Sequence, residues 1–163
     1  MTIIEYVIEE VRRQGHDIHA RDGIYRVSWM LDAWAWAIGR SHNSPTVGDA
    51  IALGTIIEPD KNAHGIRRVG VRVGSHICPS YGEVSQKLKD LFKVKDIIME
   101  GTDVIPHNKL EDSLDFYEEF ELIHPFVDGN GRTGKILLNW LNGTLLDPVF
   151  PPRDFWGKEI ENP

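Results

Sequence analysis

The chain has 163 residues, 41% of them apolar, with a net charge of −7, five tryptophans and a single cysteine, Cys78. That length and apolar content suffice for one domain with its own core, and the acidic balance excludes binding to nucleic acid through nonspecific charge. One cysteine excludes an internal disulfide framework; with no basic-then-apolar leader and no apolar run of about eighteen residues, the expectation is a cytoplasmic protein without a membrane span.

In chain order, Thr2-Ile3-Ile4-Glu5 is a capping-box pattern that predicts a first helix with Ile4, Val7, Ile8 and Val11 on one face, ended by Gly15. His16 and His19 stand three apart, but no third metal ligand accompanies them, and a solvated turn is the simpler reading. Asp22 can cap a second helix, in which Val27, Met30, Leu31, Trp34 and Ile38 form one stripe while Trp29 and Trp36 lie off it. A helix apolar on several sides belongs to the core, so these tryptophans read as packing rather than as a platform for bases. Ser44-Pro45-Thr46 opens a third helix, with Asp49 at its positive end and a finish near Ile57; Pro59, Asp60, Asn62 and Gly65 then make a loop.

The period next changes to two. Val69, Val71 and Val73 alternate with Arg68, Gly70 and Arg72, and Gly74-Ser75 turns the chain into a short strand from His76 to Cys78. Such a ribbon needs packing or a partner, and its arginines also suit plain protection of an exposed edge. Ser80-Tyr81-Gly82-Glu83 is a further capping box before a helix with Val84, Leu88, Leu91 and Phe92 inward. The following helix carries Leu110, Leu114, Phe116, Tyr117, Phe120 and Ile123 on its apolar face, with Glu111, Asp115, Glu118 and Glu119 as a solvated one. A last helix runs to about Leu146. After it Pro148, Pro151, Pro152 and Gly157 make residues 147–163 an irregular tail.

Between these last two helices stands His-Pro-Phe-Val-Asp-Gly-Asn-Gly-Arg-Thr-Gly-Lys, residues 124–135. A loop feeding a helix here sets unpaired N–H groups and the positive end of a helix dipole beside glycines, with Arg132 and Lys135 one turn further in: an anion site suited to polyphosphate. His124 adds a proton acceptor and Asp128 a hard oxygen ligand for Mg²⁺; taken alone, His124 would read as a buried histidine at a helix end. Gly129 to Gly134 also fit the dinucleotide pattern, and Gly129 to Lys135 the first seven positions of a P-loop. Both require a preceding parallel strand, whereas the residues here are helical and then broken by Pro125, and Ile136 stands where a P-loop needs Ser or Thr.

The stretch resembles the motif of the Fic family, His-Pro-Phe-x-Asp/Glu-Gly-Asn-Gly-Arg-x-x-Arg. His124 to Arg132 match at every specified position, and Lys135 replaces the last arginine. The likeness continues through Ile136-Leu137-Leu138-Asn139 and, more loosely, back to about Ile24. It implies a single all-α domain over residues 1–163, with its core in about 24–146: a bundle of about six helices with one β-hairpin flap. It further implies transfer of AMP from ATP to a Ser, Thr or Tyr hydroxyl of a target protein. His124 would be the base, Asp128 the Mg²⁺ ligand, Gly129, Asn130 and Gly131 the donors to the transferred phosphoryl, and Arg132 and Lys135 the cations for the departing phosphates. Lysine supplies charge without the arginine fork. The flap, Val69, Gly70, Val71, Arg72 and Val73, would take the target as an added strand.

Other outcomes belong to the same likeness. Doc-type relatives transfer phosphate but carry lysine where Gly131 stands; some relatives use other nucleotides or remove AMP; a noncatalytic binding module or toxin partner would keep the fold alone. Many Fic proteins are restrained by a helix with the pattern Ser/Thr-x-x-x-Glu-Gly/Asn, whose glutamate pairs with the second motif arginine. The near match here, Gly157-Lys158-Glu159-Ile160-Glu161-Asn162, lacks the hydroxyl residue and begins with a poor helix former. The expectation is therefore no inhibitory helix, with restraint from a separate small, antitoxin-like protein or from target availability.

Overall fold

The computed structural model describes residues 1–100, 108–152 and 155–156. Along them the order is α1 (Ile3–Arg13), α2 (Arg21–Arg40), α3 (Val47–Ile57), β1 (Arg72–Val73), β2 (His76–Ile77), α4 (Tyr81–Met99), α5 (Lys109–Ile123) and α6 (Asn130–Asn142). This is the all-α bundle with one hairpin that the sequence predicts. The Gly157–Asn162 pattern lies outside the described residues. No helix among them is long and apolar enough to cross a membrane.

Local chemistry sets the helix starts. Thr2 Oγ1 accepts from the Glu5 N–H at 3.2 Å while Glu5 Oε2 accepts from the Thr2 N–H at 2.8 Å, and Thr46 and Asp49 repeat the exchange at α3. At α4, Glu83 Oε2 accepts from the Ser80 N–H at 3.2 Å. Each exchange satisfies donors that a helix start leaves unpaired. Asp22 does not cap α2: the cap position is Ala20, and Asp22 lies in the first turn. α6 ends at Asn142 rather than near Leu146, because Gly143 at φ 73° turns the chain left-handed and its N–H closes onto Asn139 O and Trp140 O.

α6 occupies the centre, buried from Arg132 to Leu141 and packed on α5, α3 and α2. α1 rests on α2, and α4 covers α5 and α3. The inward face of α1 is Tyr6, Val7, Glu10 and Val11: Val7 and Val11 face inward as predicted, while Ile4 is 58% exposed and Tyr6 and Glu10 join the face instead. Leu110, at the start of α5, is likewise exposed. Trp34 is fully buried and donates from Nε1 to Leu145 O at 2.8 Å, and Trp140 donates to Asn43 O at 2.9 Å. Trp34 acts in packing, as predicted for the tryptophans of α2, and Trp140 packs likewise.

The hairpin is shorter than Val69–Val73 and His76–Cys78. Its ladder pairs Arg72 with Ile77 and Val73 with His76, and a bond from the Cys78 N–H to Val71 O at 3.3 Å extends it by one step. The ribbon stops there because the Val69 carbonyl is taken by Arg67 Nη1 at 2.9 Å instead of by a strand partner.

α3 meets the 124–129 loop through Gly54. A Cβ at Gly54 would fall 2.4 Å from the Phe126 ring, so only a bare backbone lets that ring bury completely. Gly54→Ala should therefore destabilise the fold by about 1–3 kcal/mol through overpacking, despite alanine's better helix propensity. Urea denaturation of the variant checks this, and stability equal to or above wild type would show that the loop can retreat from α3.

Candidate functional site

The site begins where α5 stops. Pro125 cannot continue the helix and disfavours the helical conformation in the residue before it. His124 accordingly turns left-handed, at φ 51°, with its N–H still bonded to Phe120 O at 3.0 Å. A side chain at such a φ costs roughly 1–2 kcal/mol, and Arg67 offsets it: Nε donates to His124 O at 2.7 Å, and Nη2 to Ile123 O at 3.2 Å and Pro79 O at 2.6 Å.

The loop beyond His124 is held at each step. The Asn130 side chain folds back to accept from the Phe126 N–H at 2.9 Å and donate to Phe126 O at 3.0 Å. Asn62 Nδ2 bridges Gly54 O at 2.9 Å and Asp128 O at 2.8 Å, tying the loop to α3. Gly129 then takes φ 78° at the head of α6, and no side chain caps the first turn. The donors of that turn, with the positive end of the dipole, face a cavity of about 180 Å³ lined by Gly129, Asn130, Gly131, Lys135, Asp128 and His124 together with Tyr117, Glu121, Trp156, Val73 and the end of α1.

His124 Nδ1 lies 3.3 Å from Glu121 O. A carbonyl only accepts, so Nδ1 carries the proton and Nε2 keeps its lone pair. Burial pushes the imidazole pKa below its ordinary value, the Glu121 carbonyl opposes that shift, and the Arg67 charge adds to it. For Asp128, burial disfavours the charge, but Lys61 at 2.6 Å, the Gly129 N–H at 2.7 Å and Arg132 outweigh it and hold the carboxyl below its usual range.

The two motif cations are placed differently. Arg132 lies beneath the loop, 2% exposed, with Nη2 on Glu58 Oε1 at 2.8 Å; Arg26 Nε reaches the same oxygen at 2.8 Å. Arg132 Nε and Nη1 make no hydrogen bond among the described residues. Lys135 faces the cavity but is tied to Glu10 of α1, Nζ to Oε1 at 2.6 Å, and Gln14 Nε2 donates to the same oxygen at 2.8 Å. His16 is half-buried close to Arg26 and Arg132, whose charges, after burial itself, lower its pKa.

Among the described residues no three acidic, histidine or cysteine side chains converge as a metal site. Asp128 nevertheless fits a Mg²⁺ that draws its other ligands from phosphate and water: its side chain is 34% exposed, on the cavity wall, and held ionised.

A histidine and a carboxylate stand beside an uncapped helix start at one cavity. A sequence model of the Fic/DOC family matches residues 46–142, and the chain belongs to that family. It is 53% identical over 45 residues to a probable protein adenylyltransferase of Aquifex aeolicus, covering 26% of this chain and 14% of that one. With the protein adenylyltransferase of Caenorhabditis elegans the identity is 32% over 115 residues, 64% of this chain and 21% of the other. A Fic family protein from Desulfovibrio desulfuricans G20 has the same fold, with a TM-score of 0.60 and 22% identity over 85% of this chain and 44% of that one. The chain thus spans about a fifth or less of the length of these curated relatives.

The structure gathers His124, Asp128, Gly129, Asn130, Gly131 and Lys135 at one cavity, and of the predicted flap residues it brings Val73 to the wall. Sequence reasoning missed Glu10, Glu58 and Arg67. Lys135 pairs with Glu10, which in sequence is one of two adjacent glutamates in a helix of mixed charge. If Lys135 must leave Glu10 to meet phosphate, Glu10→Gln should tighten pyrophosphate binding by about tenfold, or about 1.4 kcal/mol, while lowering the melting temperature because a buried ion pair loses one partner. Titration calorimetry and a thermal melt check both, and unchanged affinity would remove Lys135 from the phosphate site.

Proposed function

We propose that this domain transfers AMP from ATP to the hydroxyl of a Ser, Thr or Tyr side chain on a target protein. The observation that carries the reading is the uncapped start of α6 opening into the cavity that His124 also lines; the named activity of the adenylyltransferase relatives supports it. The hydroxyl oxygen attacks the α-phosphorus, its proton passes to His124 Nε2, the bond from that phosphorus to the oxygen bridging to the β-phosphate breaks, and pyrophosphate leaves. The N–H groups at Gly129, Asn130 and Gly131 meet the charge that grows on the transferred phosphoryl. Lys135, once off Glu10, meets the departing phosphates, and Arg132 adds positive potential from beneath the loop. Asp128 would hold Mg²⁺, which supplies further neutralisation of phosphate charge.

The target segment would dock on β1. The bond between the Cys78 N–H and Val71 O makes positions 71 and 78 a bonded pair, so by strand alternation the main chain of Gly70 and Arg72 points away from β2, toward an added strand. Restraint by a separate small protein belongs to the same proposal, beside the internal pair of Glu10 with Lys135.

The test uses α- and γ-labelled ATP with a cell lysate. The α label should appear on a protein and the γ label should not, and His124→Ala should lower transfer by ~10² to 10⁴ with ATP binding retained. Gly70→Pro, where a side chain meets no neighbour, should lose target labelling alone. Transfer by His124→Ala within a few fold of wild type, or γ label on the target, would contradict the proposal.

A further inference from the structure

We propose that Trp156 is a positioning residue for His124: the indole, anchored on Glu121, forms the wall against which the imidazole stands and joins the base to the hairpin. Trp156 Nε1 donates to Glu121 Oε2 at 2.7 Å, and its ring centroid lies 6.0 Å from that of His124 at an interplanar angle of 80°. The same indole stands 5.3 Å from the His76 ring of β2, at 42°, and His76 Nε2 lies 3.3 Å from Leu122 O.

Glu121 is the joint of this arrangement. Its main-chain carbonyl faces His124 Nδ1 and its carboxylate accepts from the indole, so one residue of α5 sets both rings. A single bond at 3.3 Å to a carbonyl fixes one edge of an imidazole and leaves rotation about that contact open. An edge-to-face neighbour closes that freedom, since such pairs have a preferred geometry. The sequence match to the family ends at residue 142, so it assigns no role to Trp156.

The groups that act on His124 are the main-chain carbonyl of Glu121 on its own helix, the charges of Arg67 and His76 from the hairpin side, and that of Asp128 from the loop. Burial is the largest influence on the ring, and it disfavours the charged form. The indole lines the same cavity as the imidazole, so its removal admits water to the ring. Trp156→Ala should then let His124 titrate closer to an ordinary imidazole and populate both tautomers.

This inference rests on His124 acting as the base, and its test has a readout that does not depend on transfer. Imidazole ¹⁵N–¹H spectra recorded across pH on wild type, Trp156→Phe and Trp156→Ala give the tautomer and titration of His124, with His76 followed separately in the same spectra. In Trp156→Ala the His124 titration should move upward and the Nδ1–H tautomer lose its dominance; transfer at about pH 6 should fall at least roughly threefold relative to about pH 8. Trp156→Phe keeps a ring but loses the bond to Glu121 and should fall between, and it decides the matter if the alanine variant does not fold. A folded variant lacking the indole whose His124 keeps the wild-type tautomer and titration overturns the proposal. Spectra that change as expected in a protein that transfers nothing would uphold the positioning and reject AMP transfer instead.

Discussion

One buried guanidinium sets the geometry on which the site depends. Arg67 is 3% exposed, and its side chain donates to the carbonyls of His124, Ile123, Val69 and Pro79 while its own N–H donates to Pro125 O at 2.9 Å. Those acceptors belong to the end of α5, the approach to the hairpin and the exit from it. A guanidinium can serve them together because it carries five donors in a rigid fork, whereas a lysine would bring three donors at one point. The left-handed turn at His124 and the placement of the hairpin thereby become a single constraint. His124, proposed as the base, and the strand proposed to receive the target cannot shift independently without leaving a buried arginine short of acceptors.

Around that constraint, charge is balanced pair by pair. Glu58 takes Arg132 from below the loop and shares its oxygen with Arg26; Glu10 takes Lys135 at the cavity. Each motif cation thus has a carboxylate from elsewhere in the chain, Glu58 at the C-cap of α3 and Glu10 in α1, which spares the core an uncompensated charge. The two pairs differ in what a ligand can do to them. Arg132 is enclosed and keeps two buried nitrogens without hydrogen bonds among the described residues, so in the proposed reaction it would act through its field. Lys135 lines the cavity and can exchange one anionic partner for another.

The elements legible in the sequence are those fixed by neighbours a few residues apart. The capping exchanges at Thr2 and Ser80, the break at Pro125 and the bareness of the α6 start all follow from local spacing, and the motif marked the cavity residues His124 and Asp128 to Gly131. The hairpin's true length did not follow, because the Val69 carbonyl goes to Arg67, a contact that alternation of valines cannot register. The inward face of α1 was right at Val7 and Val11 but took Ile4 in place of Tyr6 and Glu10, because a charged residue belongs to it. Its partner Lys135 is 125 residues away, Glu58 and Arg132 are 74 apart, and Arg67 and His124 are 57 apart. Glu10, Glu58 and Arg67 each look in sequence like any solvated charge. Only the fold brings them together.

The central claim is that the α6 start receives the α-phosphate, within reach of His124. A crystal structure of the domain with a nonhydrolysable ATP analogue tests it most directly. The account predicts the α-phosphate against the N–H groups at Gly129, Asn130 and Gly131, with His124 Nε2 facing the side opposite the departing phosphates and Lys135 moved from Glu10 to the nucleotide. A γ-phosphate in that cradle, with the nucleotide reversed, would contradict the account and assign phosphate transfer to the site in place of AMP transfer.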